Sequence, residues 1–450
     1  MAKSKTQASL SLQLPLVNPC CAAIDVGSMM MMISYTDRGG ISHLLEVGAF
    51  TENLEMAVET LRKAGVLKVA MEATGVYWIV IYQLLEQAGM EVKLVNAKHF
   101  KNVDGQKTDV KDSQWLHQLH AHGLLRGSHI APEIFRELRS YLHEREILQQ
   151  QKSDTLNRIQ KTLTQMNIKV QHLVSDIEGV NALKLLRGIA NGISDPGELL
   201  ALIDTSKLKA SDEDLHRSLV GIYKEQFVTI LKYQLSAFDF YKQQMKVYET
   251  CIERVLNKLM LPDSNGESVA VPAKKGCVRK NQYSINIKGY LQQITGVDLS
   301  KIPGLDEINI LEIIAVTGLN MSKWKTSGHF TSWLGLSPAP KKSGGKVIGH
   351  GRKFTNNKAT QAFRKGAQTM WQHKGGLGQL YKKLAARKGS AKAIKAVARK
   401  IAVIFYTMMD KKVSYDARRT EVNQAKRDSQ RIANLKKEAA RYGYILNAAA

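Results

Sequence analysis

Hydrophobic positions along the first 130 residues change period in a regular order. After a tail of about eighteen residues, CCAAIDVG is a short apolar run that ends in a turn, as a buried strand does. MMMMISYT and ISHLLEVGAF follow, separated by the turn signal DRGG, and predict a hairpin or meander. TENLEMAVETLRKAG has helical spacing, with Thr51 as a candidate N-cap and Gly65 as a stop. LKVAME predicts a strand, GVYWIVIYQLLEQAG a helix closed by Gly89, EVKLVN a strand, and KTDVKDSQWLHQLHAHG a helix ending at Gly123. The order β-β-β-α-β-α-β-α predicts a mixed α/β sheet: a hairpin first, crossovers afterwards.

Beyond Pro132 the period becomes purely helical. FRELRSYLHEREILQQQKSDTLNRIQKTLTQMNIKV has no internal Pro and predicts one extended amphipathic helix, a coiled coil or an ordinary packed helix with an imperfect apolar seam. Shorter helices punctuated at SDPGE follow. Residues 261–290 are a turn-rich, basic loop or small hairpin. From 291 to about 410 helices return around a Gly-rich loop, and the last forty residues predict a charged helix or tail. The expected organisation is a tail (1–18), an α/β domain (19–130), a helical coiled-coil and linker region (131–290), a mostly helical domain (291–410) and the C-terminal helix or tail (411–450).

Charge narrows the partner. The 450 residues carry 65 Lys and Arg against 40 Asp and Glu, a formal net charge of +25. From Ile313 to Met409 there is no acid at all, against 19 Lys and Arg. Such a block creates a positive field suited to a phosphate backbone, and it carries no information about base sequence. The four cysteines, Cys20, Cys21, Cys251 and Cys277, form no CxxC pair, which fits a reducing, intracellular setting. The first nineteen residues lack a continuous apolar h-region, and no run of 18 apolar residues predicts a membrane span.

Four acids stand out against this basic background. Asp25 closes the first strand in AIDVG, Glu72 closes the fourth in AMEATG, and Asp109 and Asp112 lie three apart in KTDVKD, on one helical face. If the first and fourth strands are neighbours, Asp25 and Glu72 approach each other and the helix can bring its two acids against them. Converging carboxylates repel unless cations neutralise them, and hard oxygen ligands suit Mg²⁺, with Mn²⁺ as the alternative. Taken singly, each acid is a solvated strand end or helix-surface charge. His117, His120 and His122 fit a packed or exposed helix face better than a metal site.

The second candidate is KKSGGK, in which Ser343 stands between lysines and before two glycines. Glycines allow the backbone close to a phosphate. Lys341, Lys342, Lys346, Arg352 and Lys353 can stabilise charge on a phosphorane, and Ser343 can attack a phosphodiester if its proton is removed. From spacing alone, a flexible or phosphate-binding loop is the simpler reading. The glycine spacing is not that of a Walker A loop. Ser327, Ser332 and Ser337 lack the pair of glycines that follows Ser343.

The order AIDVG, AMEATG, KTDVKD resembles the DEDD-type transposases of the IS110 family, whose N-terminal domain is similar to the Holliday-junction resolvase RuvC. The stretch ATGVYW looks like that family too, as do WLGL, SGGK, the following Asn-rich helix and GQLYKKLAARKGSAKAIKAVARKIAVIFYTMM. The resemblance covers roughly residues 20–150 and 290–410. It implies an RNase H-like mixed-sheet domain, a dimerising helical segment and a mostly helical C-terminal domain. It also implies four metal-binding acids at Asp25, Glu72, Asp109 and Asp112, and a nucleophilic serine at Ser343. The implied activity is DNA cutting and rejoining by an insertion-sequence transposase. The implied partners are donor and target DNA, a noncoding guide RNA and further copies of the chain as a homodimer or tetramer, in which acids and serine meet across subunits. No membrane partner is expected, and the expected location is a prokaryotic cytoplasm, at the nucleoid. A RuvC-like nuclease with water as nucleophile, and a non-catalytic nucleic-acid-binding protein, are the rival readings. VDLSKIPGLDEINILEIIAVTG resembles a helix-hairpin-helix, with a plain αα-corner as its alternative.

Overall fold

The computed structural model describes residues 15–73, 75–96, 109–260, 271–273, 280–338, 340–351, 357–417 and 424–445, with backbone alone at a few positions that include 109–111, 341 and 342. The chain divides into two compact units, Met1–Ile130 and Ala131–Ala450.

The first unit is a five-stranded sheet with helices on both faces. Its elements are β1 (Cys21–Val26), β2 (Met30–Thr36), β3 (Ser42–Gly48), α1 (Thr51–Lys63), β4 (Lys68–Glu72), α2 (Trp78–Gln87), β5 (Glu91–Val95) and α3 (Asp109–Ala121). The strand order is β3-β2-β1-β4-β5. β1 runs antiparallel to β2 and parallel to β4, and β4 is parallel to β5. The central strand is covered on both sides, which explains its unbroken apolar run. Ala22, Ile24 and Val26 join the main core with Leu54, Val58 and Leu61 of α1 and Ile81 and Leu85 of α2. The opposite face carries a smaller cluster of Ala23, Ala70, Val95, Leu116 and Leu125. The expected cap is corrected: Phe50 occupies the N-cap of α1 without a side-chain bond, and Thr51 is its first helical residue. Gly65, at φ +80°, takes the left-handed turn after that helix, which an L side chain adopts only at a cost.

Among the described residues the second unit is helical but for one hairpin. In chain order it contains α4 (Glu133–Gln165), α5 (Val180–Ala190), α6 (Pro196–Ala201), α7 (Asp212–Leu219), α8 (Glu225–Leu259), α9 (Ile287–Thr295), α10 (Glu307–Thr317), α11 (Ser327–Trp333), β6 (Pro340–Ser343), β7 (Lys346–His350), α12 (Lys358–Gln368), α13 (Gly376–Lys388), α14 (Ser390–Lys411) and α15 (Gln424–Arg441). α4 and α8, each about 50 Å long, pack antiparallel. Arg145 of α4 meets Glu249 of α8, and Thr162 hydrogen-bonds Gln234.

The seam looks imperfect in sequence because two of its buried positions are cations. Arg145, 2% exposed, binds Glu249 at 2.6 Å and lies over the Tyr283 ring. Lys152 binds Glu178 at 2.9 Å and Asn281 at 3.1 Å. Buried charges paired in this way fix the register of a helix pair more than they stabilise it. One end of the pair shares a core with α9–α14, and the other shares a core with α5 and the start of α8. Among the described residues no helix is long and apolar enough to cross a membrane.

Candidate functional site

Sheet register sets the positions of the acids. Ile24 pairs with Met71 across the parallel β1–β4 ladder, and Asp25 and Glu72 are the next residue on each strand. Side chains alternate along a strand, so Asp25 shares a face with Ala23, and Glu72 with Ala70. That face carries α3, whose Leu116 packs into the cluster with Ala23, Ala70 and Val95.

The direction of α3 settles which of its ends lies near the acids. The backbone N–H groups of Val17 and Asn18, just before β1, donate to the Ala121 carbonyl at 2.8 and 2.9 Å. The Asn18 side chain donates to the His120 carbonyl at 2.8 Å. The C-terminal end of α3 is thus tied to the start of β1, and its N-terminal end points toward the strand ends. Asp112 is one turn before Leu116 on the same helical face, about 6 Å along the axis. Asp25 is two residues beyond Ala23, about 7 Å along the strand. The two displacements match, which brings Asp112 level with Asp25 and Glu72.

Glu72 is only 5% exposed, while Asp25 and Asp112 are half-buried. Asp109 begins α3, and its side chain lies outside the described residues. Among the described residues no group of three His, Cys, Asp or Glu side chains is close enough to hold a metal ion. The donor set is nonetheless all carboxylate oxygen, which suits a hard divalent cation and no softer metal.

The histidines belong to the packing of α3. His117 hydrogen-bonds Ser34 at 3.0 Å and Thr36 at 3.3 Å on β2. His120 is 2% exposed, and neither ring nitrogen makes a full hydrogen bond among the described residues; the Lys68 backbone offers only a weak one. Burial, helped by Lys93, pushes its pKa down to about 4. Below about 6.5 the unfolded chain takes up a proton that the folded chain refuses. His120 therefore costs no ionisation penalty above pH 6.5 and destabilises the fold progressively as pH falls from 6.5 toward 4, by up to about 3 kcal/mol. His120→Leu should remove that dependence, seen as a flatter acid limb of stability in urea titrations at pH 7.5 and 5. An unchanged limb would place the acid sensitivity elsewhere. Burial likewise pushes the Cys21 thiol up to about 11, which leaves it unreactive, and Cys20, Cys21 and Cys251 are all unpaired.

The expected Gly-rich loop is a hairpin, which corrects the sequence reading. Ser343 ends β6 and pairs with Lys346 of β7 across Gly344 and Gly345, at φ +53° and +76°. Two central residues at positive φ make a type I′ turn, the connection whose twist suits a two-residue hairpin. Ser343 and Lys346 are exposed at its tip. Lys341 and Lys342 lie on β6, opposite Gly349 and Val347; their side chains are outside the described residues, as are Arg352 and Lys353 altogether. WLGL is structural: Leu334 and Leu336 are buried, and the Thr360 hydroxyl of α12 donates to the Leu334 carbonyl at 2.9 Å. Asn357 caps α12 through its side chain. Ser337 is engaged with Thr331 at 3.0 Å.

The turn before α10 is held by its own chain. The Asp306 carboxylate accepts from the Asn309 N–H at 2.7 Å and caps α10. Gly304, at φ +85°, lies against α12, where a Cβ would come within 2.4 Å of the Gly366 carbonyl oxygen. The tip of the turn is therefore filled by the chain's own helix.

Two family models match the chain. One is described as a transposase model of the DEDD type of IS110 and covers residues 22–168. The other is described as the transposase IS116/IS110/IS902 family and covers residues 298–382. The first spans all three described acids and Asp109, and the second spans Ser343. No curated protein matches the chain.

Proposed function

The chain belongs to the IS110 family of transposases, and from that premise we propose that it recombines DNA through a phosphoserine formed at Ser343, with Asp25, Glu72, Asp109 and Asp112 holding Mg²⁺. It is a DNA transposase, its substrate is DNA, and its DEDD-type match carries a dependence on divalent metal. What supports the proposal is that Asp25 and Glu72 are the next residues after the paired Ile24 and Met71 on neighbouring parallel strands, on the sheet face that α3 covers. The mixed sheet, with its antiparallel β1–β3 and parallel β4 and β5, supports an RNase H-like fold for the first unit.

In this reading the Ser343 oxygen attacks the scissile phosphorus and gives up its proton to water or a carboxylate. The bond from phosphorus to the sugar oxygen breaks, and that oxygen takes up a proton from the water or carboxylate that received the serine's and leaves as a hydroxyl. Lys346, with Lys341, Lys342, Arg352 and Lys353, balances the charge on the pentacoordinate phosphorus. The sugar hydroxyl of the incoming strand then attacks the phosphoserine, restoring the serine and completing the exchange. Mg²⁺ or Mn²⁺ held by the four acids of a partner subunit would supply charge neutralisation at the scissile phosphodiester. No high-energy cofactor is needed, because the phosphoserine conserves the bond.

The acid-free stretch, with 19 basic residues from Ile313 to Met409, suits a polyanion, and the family resemblance points to an RNA as well as DNA. We assign it to a noncoding RNA of the element that pairs with donor and target, and the working form to a dimer or tetramer. Reconstitution tests the whole proposal. Purified protein, element-end and target DNA, the transcript and Mg²⁺ should yield joined products, and omission of transcript or metal should stop them. Joining without the transcript would remove the RNA from the account.

A further inference from the structure

The hairpin β6–β7 stands off the second unit. Its strands pack on each other and on no other element to a comparable extent, and every described side chain from Ser343 to Ile348 is exposed. An isolated two-stranded ribbon is marginally stable in water. This one nevertheless carries Val347 at 53% exposure and Ile348 at 68%. The register explains the second value. Lys341 pairs with Gly349 and Lys342 with Val347, so Ile348 is the extra residue of a β-bulge with nothing opposite it. Bulges re-aim a side chain and sharpen the twist of the strand that bears them.

Two adjacent bare aliphatic side chains at the end of a lysine-bearing ribbon make a poor solvated surface. The chemistry around them selects the occupant: Lys346 is exposed beside them, and the surrounding 97 residues contain no acid. A two-stranded ribbon fits a DNA groove, and branched aliphatic side chains wedged between base steps unstack and kink a duplex. Ile348 lies two residues from Lys346, the partner of Ser343, or about 7 Å along the strand, which spans about two base-pair steps at 3.4 Å of rise each.

We propose that the hairpin is a wedge for duplex DNA: Val347 and Ile348 enter the base stack within about two steps of the phosphate that Ser343 faces, and open the duplex there. The wedge rests on the reading of Ser343 as nucleophile for its purpose, though not for its existence. Its chemistry is general for any paired step, with flexible pyrimidine–purine steps opening most readily.

The test uses the full chain with transcript, Mg²⁺ and an element-end duplex carrying 2-aminopurine beside the scissile step. The wild-type chain should raise the fluorescence severalfold on binding. The double variant Val347→Ser/Ile348→Ser changes only exposed positions, and circular dichroism melting checks its fold. It should bind without the rise and form protein–DNA adduct at least tenfold more slowly on paired DNA. A mismatch at the labelled step should restore its adduct rate to that of the wild type. A variant with the wild-type fluorescence and rate on paired DNA overturns the wedge. So does a variant whose only change is loss of self-association in light scattering, which would make the hairpin a contact between copies. A wild-type fluorescence rise with no Ser343 adduct on either substrate would instead sink the nucleophile and leave the wedge standing.

Discussion

Ser343→Ala should eliminate the covalent protein–DNA intermediate and lower strand transfer by on the order of 10⁴-fold or more, the scale at which loss of a nucleophile is felt. The change removes one exposed hydroxyl from the end of β6 and leaves the Gly344–Gly345 turn, which sets the hairpin, untouched. Folding should be unaffected. DNA affinity should hold as well, because it comes from lysines and arginines and follows the salt concentration with the same slope in variant and wild type. Binding measured by fluorescence anisotropy at several salt concentrations, beside an adduct assay on denaturing gels, separates the two effects. A nuclease that used water would go on cutting in the variant, with no adduct in either protein.

The acids should give an equally deep loss of cleavage and a second signature that needs no turnover. Asp25→Asn, Glu72→Gln and Asp112→Asn each remove a charged oxygen donor while keeping the shape of the side chain. Each should lower cleavage by on the order of 10³-fold or more. A metal bound only by the folded chain stabilises it by about 2.7 kcal/mol at a hundred times its Kd. Thermal melting of the wild type should therefore shift upward with Mg²⁺, while that of the Asp25 and Glu72 variants should not. Without metal, Glu72→Gln keeps the shape of a side chain that is only 5% exposed, so its fold should survive, which circular dichroism melting checks. A protein that only bound nucleic acid would keep its function in all three variants and show no metal-dependent shift.

Much of the first unit was legible because β1 and α1 carry clear apolar patterns. The apolar run of β1 reports burial on both faces, and the spacing of Leu54, Ala57, Val58 and Leu61 reports one face of α1. The neighbourhood of β1 and β4 was an assumption in sequence, resting on where Asp25 and Glu72 fall. The register makes it a fact. The level of Asp112 was beyond sequence, because it depends on α3 running back toward the start of β1, and the bonds that fix this join residues about a hundred positions apart.

What the sequence left open has physical causes. SGGK next to lysines suggests a phosphate loop, yet two glycines in sequence between short extended stretches are also a hairpin signal. The strands are hard to recognise because PKKS and KVIGH are only four and five residues long and lack a clean alternation. Thr51 has the chemistry of a cap, but the helix already includes it and Phe50 takes the flanking position. The seam of α4 was blurred by Arg145 and Lys152, whose partners Glu249 and Glu178 are far away in sequence. The turn before α10 kept the form of a helix-hairpin-helix, and only the close approach of Gly304 to Gly366 shows what fills its tip.

The most direct test of the account is to find the atom that joins protein to DNA. The adduct formed with Mg²⁺, transcript and element-end DNA would be digested with nuclease and protease and sequenced by mass spectrometry. The account predicts a nucleotide attached through phosphate to the Ser343 hydroxyl. A nucleotide on any other residue, or cleaved DNA with no linked peptide at all, would contradict it.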